Sequence, residues 1–404
     1  MELSRDISDA ELLDIITNYD ANYILKLNEI DRCNKLFNTF FIKPNEQIVL
    51  KNDSTIDMSD DINNIEMYKW LPIKLVIRKQ HDACIRQKCA EIIRRYKNHI
   101  HVLVIELMCD EYMDVISDIP ILDIECGYKP ITLPNFTRLK QISISGCYVN
   151  VLSLKDVKIA KINVLKEMSE LPKFTQLEDI ELSACHNLTN SSLTNITGAK
   201  NVKIVKCPCL TELPKFDRLE SIELLWNDNL TNESLSNITS ATRVTIYECL
   251  KITSLPKFNN LEYIKLSSPN AIIDNISNIS SVYTAILYNC DVIPEFTQLK
   301  ELVLINCKTD AFTIPTIKLS LIDCDITNEM LHKLIHIKHI DISKSNITEL
   351  PMFTNLGHIN ISQCNGLSND TLRNIIDAKH IVLDHCPQIT ELPEFTQLEH
   401  ISHM

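Results

Sequence analysis

Two groups of residues in this chain have the types and spacing from which metal sites are built. Cys207 and Cys209 are separated by one residue, and His332, His336 and His339 follow one another at intervals of four and three residues. A zinc knuckle needs two residues between its cysteines, and three such histidines share a face only if one helix carries them all. Because Cys207 falls at a recurring buried position and His339 begins a strand pattern, the sequence predicts no metal site and no cofactor.

Catalytic groups are equally hard to assemble from this sequence. The chain has 5 glycines, too few for the glycine-rich loops that hold phosphate groups. Nearly every cysteine and carboxylate falls at a place that an internal repeat determines, so no Ser-His-Asp, Cys-His or paired-carboxylate arrangement stands out. We therefore expect a protein that is not an enzyme, with a hydrolase of unrecognised site as one alternative.

The elements that position these residues are repeats of one phrase. It reads LPKFTQLEDIELSACHNLTNSSLTNI at 171–196, LPKFDRLESIELLWNDNLTNESLSNI at 213–238 and LPMFTNLGHINISQCNGLSNDTLRNII at 350–376. Shorter copies begin at four further positions: Leu133, Leu255, Ile293 and Leu392. Such repetition predicts stacked units that each contact only their neighbours, so 404 residues need not form several globular domains.

Each unit contains the pattern x-φ-x-φ-x-x-C, where φ is apolar, and its period of two predicts a β-strand. The last position of the pattern is Cys in nine of thirteen units and Asn in one, which indicates a small buried side chain. The predicted strand cores are Ile142/Ile144, Ile162/Val164, Ile180/Leu182, Val202/Ile204, Ile222/Leu224, Val244/Ile246, Ile264/Leu266, Ala285/Leu287, Leu302/Leu304, Leu319/Leu321, Ile340/Ile342, Ile359/Ile361 and Ile381/Leu383.

This pattern resembles the leucine-rich repeat rule L-x-x-L-x-L-x-x-N/C-x-L, in its cysteine-containing class. The resemblance implies an α/β solenoid over 100–404, a leucine-rich-repeat horseshoe with a parallel concave β-sheet, preceded by a small N-terminal helical module. Two kinds of unit alternate with a joint period of 42 residues. We expect the L-P-x-F stretches to return extended and the L-T-N-x-S-L-x-N-I stretches to return as short helical turns. One phenylalanine per double unit is expected in an interior spine: Phe136, Phe174, Phe216, Phe258, Phe296, Phe353 and Phe395.

The N-terminal stretch 1–41 is read as three short helices between residues 7 and 41. Glu11, Tyr19, Asp20, Cys33 and Phe37 follow one another, with aliphatic residues between them, in the order of an F-box, which this stretch resembles. F-box proteins dock a Skp1-type adaptor through such helices, so the resemblance implies that this chain does the same. The adaptor-binding residues would be Leu12, Leu13, Ile16, Leu25 and Leu27. The usual Leu-Pro opening is missing, and the alternative is a helical cap that only shields the first repeat.

Residues 42–99 connect the helical module to the repeats. The polar, acidic stretch 42–70 reads as a linker. In 71–99 a strand and an amphipathic helix are predicted, either an atypical first repeat or a cap on the array. The helix would bury Cys84, Ile85, Cys89, Ile92, Ile93 and Tyr96. Its basic outer face is read as solvated, with a site for phosphate or an acidic partner as the alternative.

Charge and cysteine content restrict the partners and the compartment. A net charge of −13 argues against a nucleic-acid partner, and the chain has neither a secretory signal nor an apolar run that would cross a membrane. The 15 cysteines are odd in number and follow the repeat, so we expect a reducing compartment, the cytoplasm or nucleus, or the host cytoplasm for a viral protein. The last copy stops inside a strand pattern, and such an uncapped edge is expected either to allow dimerisation or to reflect truncation of the array.

The residues beside the second φ of each strand should point out of the concave face. They are polar in most units, as at Glu181 and Ser183, but apolar across the middle of the array. The apolar set is Val205, Leu225, Tyr247, Ile286, Tyr288, Val303, Ile305 and Ile322, with Trp226 at its rim. Contiguous patches of this kind mark binding surfaces. The alternative is that tight curvature or a folded-back N-terminal segment covers these side chains.

We therefore expect a protein-protein interaction protein that recognises a partner or substrate through the concave face, as an F-box substrate receptor of a ubiquitin ligase. A stand-alone leucine-rich-repeat scaffold or inhibitor, whose N-terminal helices only cap the array, is the alternative. The identity of the partner does not follow from the sequence.

Overall fold

The computed structural model describes residues 47–50, 73–77, 83–98, 100–127, 130–146, 149–163, 168–267, 274–308 and 316–403. The chain divides into two compact units, Met1–Leu154 and Lys155–Met404. In both units parallel strands pair with their neighbours along the chain, which is the arrangement of a repeat solenoid. The helical module predicted for 1–41 lies outside the described residues.

In the unit Met1–Leu154, five strands form a parallel sheet in chain order. They are β1 (Gln47–Leu50), β2 (Ile73–Ile77), β3 (Ile100–Met108), β4 (Ile121–Cys126) and β6 (Gln141–Ser145), while β5 (Ile131–Thr132) pairs with β7 (Val149–Asn150). The helix α1 (Ala83–Tyr96) lies between β2 and β3 in the chain, and a 3-10 turn covers Asp110–Tyr112. β1 falls inside the stretch 42–70, so the predicted linker contains a strand.

The helix α1 buries one side and exposes its basic residues. Cys89, Ile92 and Ile93 are buried, as the amphipathic pattern predicts, whereas Cys84 is exposed where burial was expected. Three basic residues pair with carboxylates that follow β3: Arg86 with Glu111 at 2.8 Å, Arg94 with Asp114 at 2.8 Å and Lys97 with Asp118 at 2.6 Å. The Arg94–Asp114 pair is exposed and contributes at most about 1 kcal/mol, whereas the other two pairs are partly buried; together they already neutralise three cations of the helix.

The unit Lys155–Met404 contains thirteen described strands, and consecutive strands of the unit pair in parallel from the first to the last. They are β8 (Ile159–Asn163), β9 (Asp179–Ser183), β10 (Asn201–Val205), β11 (Ser221–Leu225), β12 (Arg243–Tyr247), β13 (Tyr263–Ser267), β14 (Thr284–Tyr288), β15 (Glu301–Ile305), β16 (Lys318–Ile322), β17 (His339–Ser343), β18 (His358–Ser362), β19 (His380–Asp384) and β20 (His400–His403).

Burial alternates along these strands with the period that the sequence predicts. In β8–β19 the second and fourth residues are buried and in register with those of the neighbouring strand, as Ile222 is with Val202 and Leu224 is with Ile204. Each such aliphatic side chain contributes roughly 1.5–3 kcal/mol through burial. The stacked pairs therefore form a continuous core behind the sheet of this unit.

One predicted strand core is wrong by two residues. The sequence predicts Ile162/Val164, but in β8 Ala160 pairs with Ile180 and Ile162 pairs with Leu182. The core of β8 is therefore Ala160/Ile162, and Val164 lies outside the described residues. The small apolar side chain of Ala160 is a weaker signal than Val164, so the alternating pattern was placed one period too late.

The chain returns between strands in the two ways that the sequence predicts. The L-T-N-x-S-L-x-N-I phrases form short helices α2 (Asn190–Leu193) and α3 (Asn232–Leu235), continued as 3-10 turns over Thr194–Ile196 and Ser236–Ile238. Related returns are a 3-10 turn at Ile276–Ile279, helix α4 (Asn328–His332) and a 3-10 turn at Asn369–Ile375. In the units described, the L-P-x-F stretches carry neither helix nor longer strand.

Asparagines tie each helical return to the repeats on both sides of it. The Oδ1 atom of Asn190 accepts hydrogen bonds from the backbone N–H groups of Thr211 at 2.9 Å and Glu212 at 3.3 Å. In the other direction, Nδ2 of Asn195 donates to the carbonyl of Leu171 at 2.8 Å. Asn232 and Asn237 repeat the two roles in the next double unit. The asparagines of the phrase are therefore structural.

The predicted phenylalanine spine is continuous only in the middle. Phe216, Phe258 and Phe296 are buried in successive L-P units or their equivalent. The other four are half-buried: Phe136, Phe174, Phe353 and Phe395.

Each of ten described strands is followed by a residue in the left-handed backbone region. These residues are Ala184, Lys206, Trp226, Glu248, Asn289, Asn306, Asp323, Lys344, Gln363 and His385, with φ between 49° and 55°. Most of them donate a backbone N–H to the last residue of the next strand, as Lys206 does to Leu225 at 3.0 Å. The turn thereby extends the sheet by one hydrogen bond and directs the following cysteine into the core.

The cysteines at that following position donate hydrogen bonds as well as filling space. The thiols of Cys249 and Cys324 lie 3.5 Å and 3.4 Å from the carbonyl oxygens of Leu224 and Leu304 in the preceding repeats. Burial raises the pKa of both thiols to about 11, so they remain protonated donors at neutral pH. Across the described ranges, no helix has the length and apolar character required to span a bilayer.

Candidate functional site

The first, third and fifth residues of strands β8–β20 share the face opposite the core, which we call the open face. Because the strands are in register, each of these positions forms a row that runs from strand to strand. Neighbouring residues in such a row stand about 4.8 Å apart, close enough for side-chain contact. The chemistry of the open face therefore depends on what each row carries.

The predicted apolar residues lie together on this face. Six of them occupy consecutive fifth positions apart from one serine: Val205, Leu225, Tyr247, Tyr288, Ile305 and Ile322. Ile286 and Val303 stand side by side in the third-position row of β14 and β15. We call these eight residues the apolar patch. All are partly exposed, because each is packed between its neighbours in the row and open to solvent above.

Aromatic rings form the centre of the patch. The ring of Tyr247 contacts that of Trp226 edge-on, with centroids 5.4 Å apart, and that of Tyr288 with centroids 5.6 Å apart. Tyr247 and Tyr288 are two strands apart and meet above Ser267, which is 2 % exposed and donates to Glu248 at 2.8 Å. A larger residue at Ser267 would separate the two rings. Edge-on pairs of this kind hold aromatic rings in fixed orientations.

Trp226 is the most exposed residue of this cluster. It follows β11 in the left-handed region, at φ 55°, and is 44 % exposed. Its backbone N–H donates to the carbonyl of Tyr247 at 2.9 Å, which fixes the position of the ring next to the patch. A bulky side chain is uncommon at such φ values, where Asn289 and Asn306 stand in other repeats. A large exposed aromatic side chain is therefore held at the edge of an apolar surface.

Lysines contact the aromatic rings of the patch. The ammonium of Lys265 lies 5.8 Å from the ring centroid of Tyr247 and 5.3 Å from that of Tyr288. The ammonium of Lys206 lies 5.0 Å from the ring of Trp226. These distances are those of cation–π contacts, which place two ammonium groups beside the apolar surface. The sequence prediction missed both lysines, although Lys265 lies between the two tyrosine strands in the third-position row.

The open face next to the patch is polar and balanced in charge. Over β8–β11 a groove of about 280 Å³ is lined by the third-position residues Lys161, Glu181, Lys203 and Glu223. Their charges alternate along the row, and Lys203 pairs with Glu181 at 3.1 Å. Because neighbouring charges in this row neutralise one another, the groove favours neither a cationic nor an anionic ligand. The apolar patch therefore ends at a hydrophilic border on the β8 side.

The first-position row carries a second set of residues that the sequence prediction did not identify. His339, His358, His380 and His400 begin the strands β17–β20 and are in register. The repeated H-I-x-φ pattern is a signal for them. The residue before the first φ is the first residue of the strand, and its side chain lies on the same face as those of the third and fifth residues. The sequence prediction covers only the positions next to the second φ, and the histidines lie outside that set.

The other candidates from the sequence are placed apart. His332 lies in α4, His336 contacts the hydroxyl of Thr354 at 3.0 Å and His339 begins β17, so one helix does not carry the three histidines. Cys207 is buried and Cys209 is exposed. Within the described residues, no group of three or more His, Cys, Asp or Glu side chains could hold a metal ion. The five predicted adaptor-binding residues, Leu12, Leu13, Ile16, Leu25 and Leu27, lie outside the part of the chain that the structure describes.

Comparison with protein-family models, curated proteins and solved structures gives no match to this chain. The function is therefore argued from the open face itself.

Proposed function

We propose that this protein recognises a partner protein through the apolar patch. The observation that carries the proposal is the cluster of Trp226, Tyr247 and Tyr288, in which the ring of Tyr247 contacts the other two at the centre of the apolar patch. Tyr and Trp dominate the binding energy of protein interfaces, since they bury much area at low cost in conformational entropy. The rigid sheet beneath them supports recognition without rearrangement.

The arrangement of the patch favours a partner segment with apolar side chains next to acidic ones. The patch crosses seven strands, about 29 Å at the usual strand spacing, which is long enough for an extended segment of about nine residues. Lys206 and Lys265 stand over the aromatic rings and are suited to carboxylates beside the apolar anchors. The occupant that we propose is such a segment of another protein, bound across β10–β16.

The wider proposal is a leucine-rich-repeat substrate receptor of a ubiquitin ligase, with 1–41 as an F-box-like module that binds a Skp1-type adaptor. What supports the repeat class is that Asn227 and the cysteines of neighbouring units take the same buried position, as the N/C position of that repeat rule requires. The alternative is a stand-alone scaffold or inhibitor. Binding of purified adaptor to the full chain, lost on Leu13→Ser with Leu25→Ser, would distinguish the two.

The apolar patch is tested by the double substitution Tyr247→Ser with Tyr288→Ser. Peptides are selected from a displayed random library against the full chain, and their Kd values are then measured for the variants. We expect apolar peptides with acidic flanks, whose binding falls at least about thirtyfold in the double variant, because two central aromatic anchors are lost. Tyr283→Ser is the matched control: Tyr283 is exposed and contacts Lys300 outside the open face. Equal binding by the double variant and the control would refute the proposal.

A further inference from the structure

Four neighbouring strands of the unit Lys155–Met404 begin with histidine. His339 is paired in register with His358, His358 with His380, and His380 with His400. The row continues into Lys318 of β16. We call His339, His358, His380 and His400 the histidine row. At the usual strand spacing it extends about 14 Å along the open face.

The rings of this row stand close to one another and to solvent. The ring centroids of His339 and His358 are 6.0 Å apart, and those of His358 and His380 are 6.1 Å apart, with tilts of 31° and 38°. The side chains of His358 and His380 are 34 % and 45 % exposed. Three imidazoles, those of His339, His358 and His380, therefore stand side by side within reach of a ligand, and His400 continues the row in backbone register.

The charged groups around the row do not neutralise it once it is protonated. Glu301 already pairs with Lys318 at 2.6 Å, and Glu399 with Lys379 at 2.8 Å, although Glu399 also lies 3.5 Å from His380. Asp341 is 3.7 Å from His358 and accepts a hydrogen bond from Ser320 at 2.9 Å. Glu301 and Glu399 are thus paired with lysines before any histidine takes up a proton, whereas Asp341 faces His358 and offsets part of the charge of a protonated row.

Protonation of adjacent imidazoles is disfavoured unless an anion is present. Burial lowers the pKa of His358, and the charges of His339, His380 and Lys318 lower it further, while Asp341 acts in the opposite direction. A bound carboxylate near the row would relieve this repulsion, so anion binding and proton uptake are coupled.

We propose that the histidine row is a second binding surface, which takes an acidic segment of a protein at mildly acidic pH. An extended chain of about five residues matches the length of the row. The chain carries a net charge of −13, which disfavours a densely charged phosphate polymer or an anionic membrane more than a short acidic peptide. The surface is independent of the partner proposed for the apolar patch.

Fluorescence anisotropy with a labelled ten-residue peptide of alternating Glu and Gly tests this inference. Binding to the full chain is measured at pH 7.5 and pH 5.5 with a chelator present, which removes metal bridging. The Glu residues stay ionised at both values, since their pKa is about 4.3. We expect at least about tenfold tighter binding at pH 5.5, because imidazoles gain positive charge as the pH falls and bound carboxylates relieve the repulsion between neighbouring rings.

Two variants identify the groups responsible. His358→Gln with His380→Gln should remove most of the gain at pH 5.5, whereas His332→Gln, an exposed histidine in α4, should keep it. The Tyr247→Ser, Tyr288→Ser variant should also keep the increase in affinity at pH 5.5. A negative result for the histidine row is therefore distinct from a negative result for the apolar patch. Binding that does not depend on pH, that survives in the double histidine variant, or that is tighter for an oligothymidylate or an anionic vesicle would overturn the proposal.

Discussion

At the scale of single residues, the position two places after each strand joins successive repeats. A thiol there donates to a backbone carbonyl of the preceding repeat, as Cys364 does to Ile342 at 3.9 Å. Asn227 does more, because its Nδ2 donates to Ile204 at 2.8 Å and to Leu225 at 3.1 Å while its Oδ1 accepts from the N–H of Cys207 at 3.0 Å. The same position serves as a weak or a strong connection according to its residue.

We predict that Asn227→Ala destabilises the protein by about 3 kcal/mol, because buried backbone groups of Ile204 and Cys207 lose their partner. Asn227→Cys should cost about 1 kcal/mol, since a thiol at this position still donates to the preceding repeat. Urea unfolding followed by circular dichroism measures both. As a control, Asn229→Ala removes two exposed hydrogen bonds, to the carbonyl of Pro208 and from the ammonium of Lys251, and should change stability by less than about 1 kcal/mol. Equal losses for Ala and Cys at 227 would contradict this account.

At the scale of elements, the left-handed residue after each strand decides which side chains suit the turn. Lys344 is exposed at φ 54°, and its backbone N–H donates to Ser362 at 3.0 Å. Non-glycine residues there carry a cost of about 1–2 kcal/mol, which glycine avoids at an entropic cost of about 0.5–1 kcal/mol. β-branched residues fit this region worst. The stability changes caused by substitutions at this position should therefore follow each residue's preference for the left-handed backbone, with little contribution from side-chain contacts.

We predict that Lys344→Gly stabilises the protein by about 0.5 kcal/mol and that Lys344→Val destabilises it by about 1 kcal/mol or more. At Lys338, which is exposed and lacks a positive φ, the order should reverse, with Val tolerated better than Gly. Urea unfolding of the four variants gives the ranking. The same order at both positions would mean that the left-handed backbone is not the cause.

Much of the element structure follows from the sequence, because buried and exposed residues alternate with a fixed period. Cores such as Val202/Ile204 and Ile359/Ile361 are correctly placed, since only apolar side chains fill those positions. At β8 the pattern predicts the wrong pair, because the buried residue there is Ala160. Its pairing with Ile180 of the next repeat defines the register and leaves no signal in the local sequence. Local periodicity predicts a strand better than it predicts the strand's limits.

The residues of the candidate site could be predicted from the sequence, but the contacts between their side chains could not. Tyr247 and Tyr288 could be identified from their place beside the second apolar residue of a strand. Their contact depends on the small, buried Ser267 of the strand between them, and the position of Lys265 over both rings depends on register across three strands. Such features arise between repeats, so they appear only when the repeats are stacked.

At the scale of the whole unit Lys155–Met404, the repeats are interchangeable in register, and an entire double unit can be removed at a repeat boundary. Deletion of 213–254 joins Glu212 to Leu255, and deletion of 350–391 joins Glu349 to Leu392. Both junctions restore the sequence T-E-L-P or its equivalent. We predict that both shortened chains fold with a urea m-value lower by roughly a tenth, since each buries proportionally less surface.

The two deletions should separate the two proposed surfaces. The first removes Leu225, Trp226 and Tyr247 and leaves the histidine row, so it should lose the apolar peptides and keep the acidic one. The second removes His358 and His380 and should do the opposite. Each shortened chain is thereby the control for the other. Loss of both activities in a chain that still folds would show that the surfaces are not independent.

The pairing of each strand in this unit with only its chain neighbours has a mechanical consequence. Hydrogen bonds between strands run from one repeat to the next, so tension applied at β20 loads the contact with β19 before it reaches any other strand. The strands would then detach one at a time, starting from β20. Each step would release about 20 residues, or roughly 65 Å of extended chain. The force needed at each step would depend on the side-chain hydrogen bonds that join one repeat to the preceding repeat. It would be lowest at Ser345, whose hydroxyl makes no hydrogen bond, and highest at Asn227.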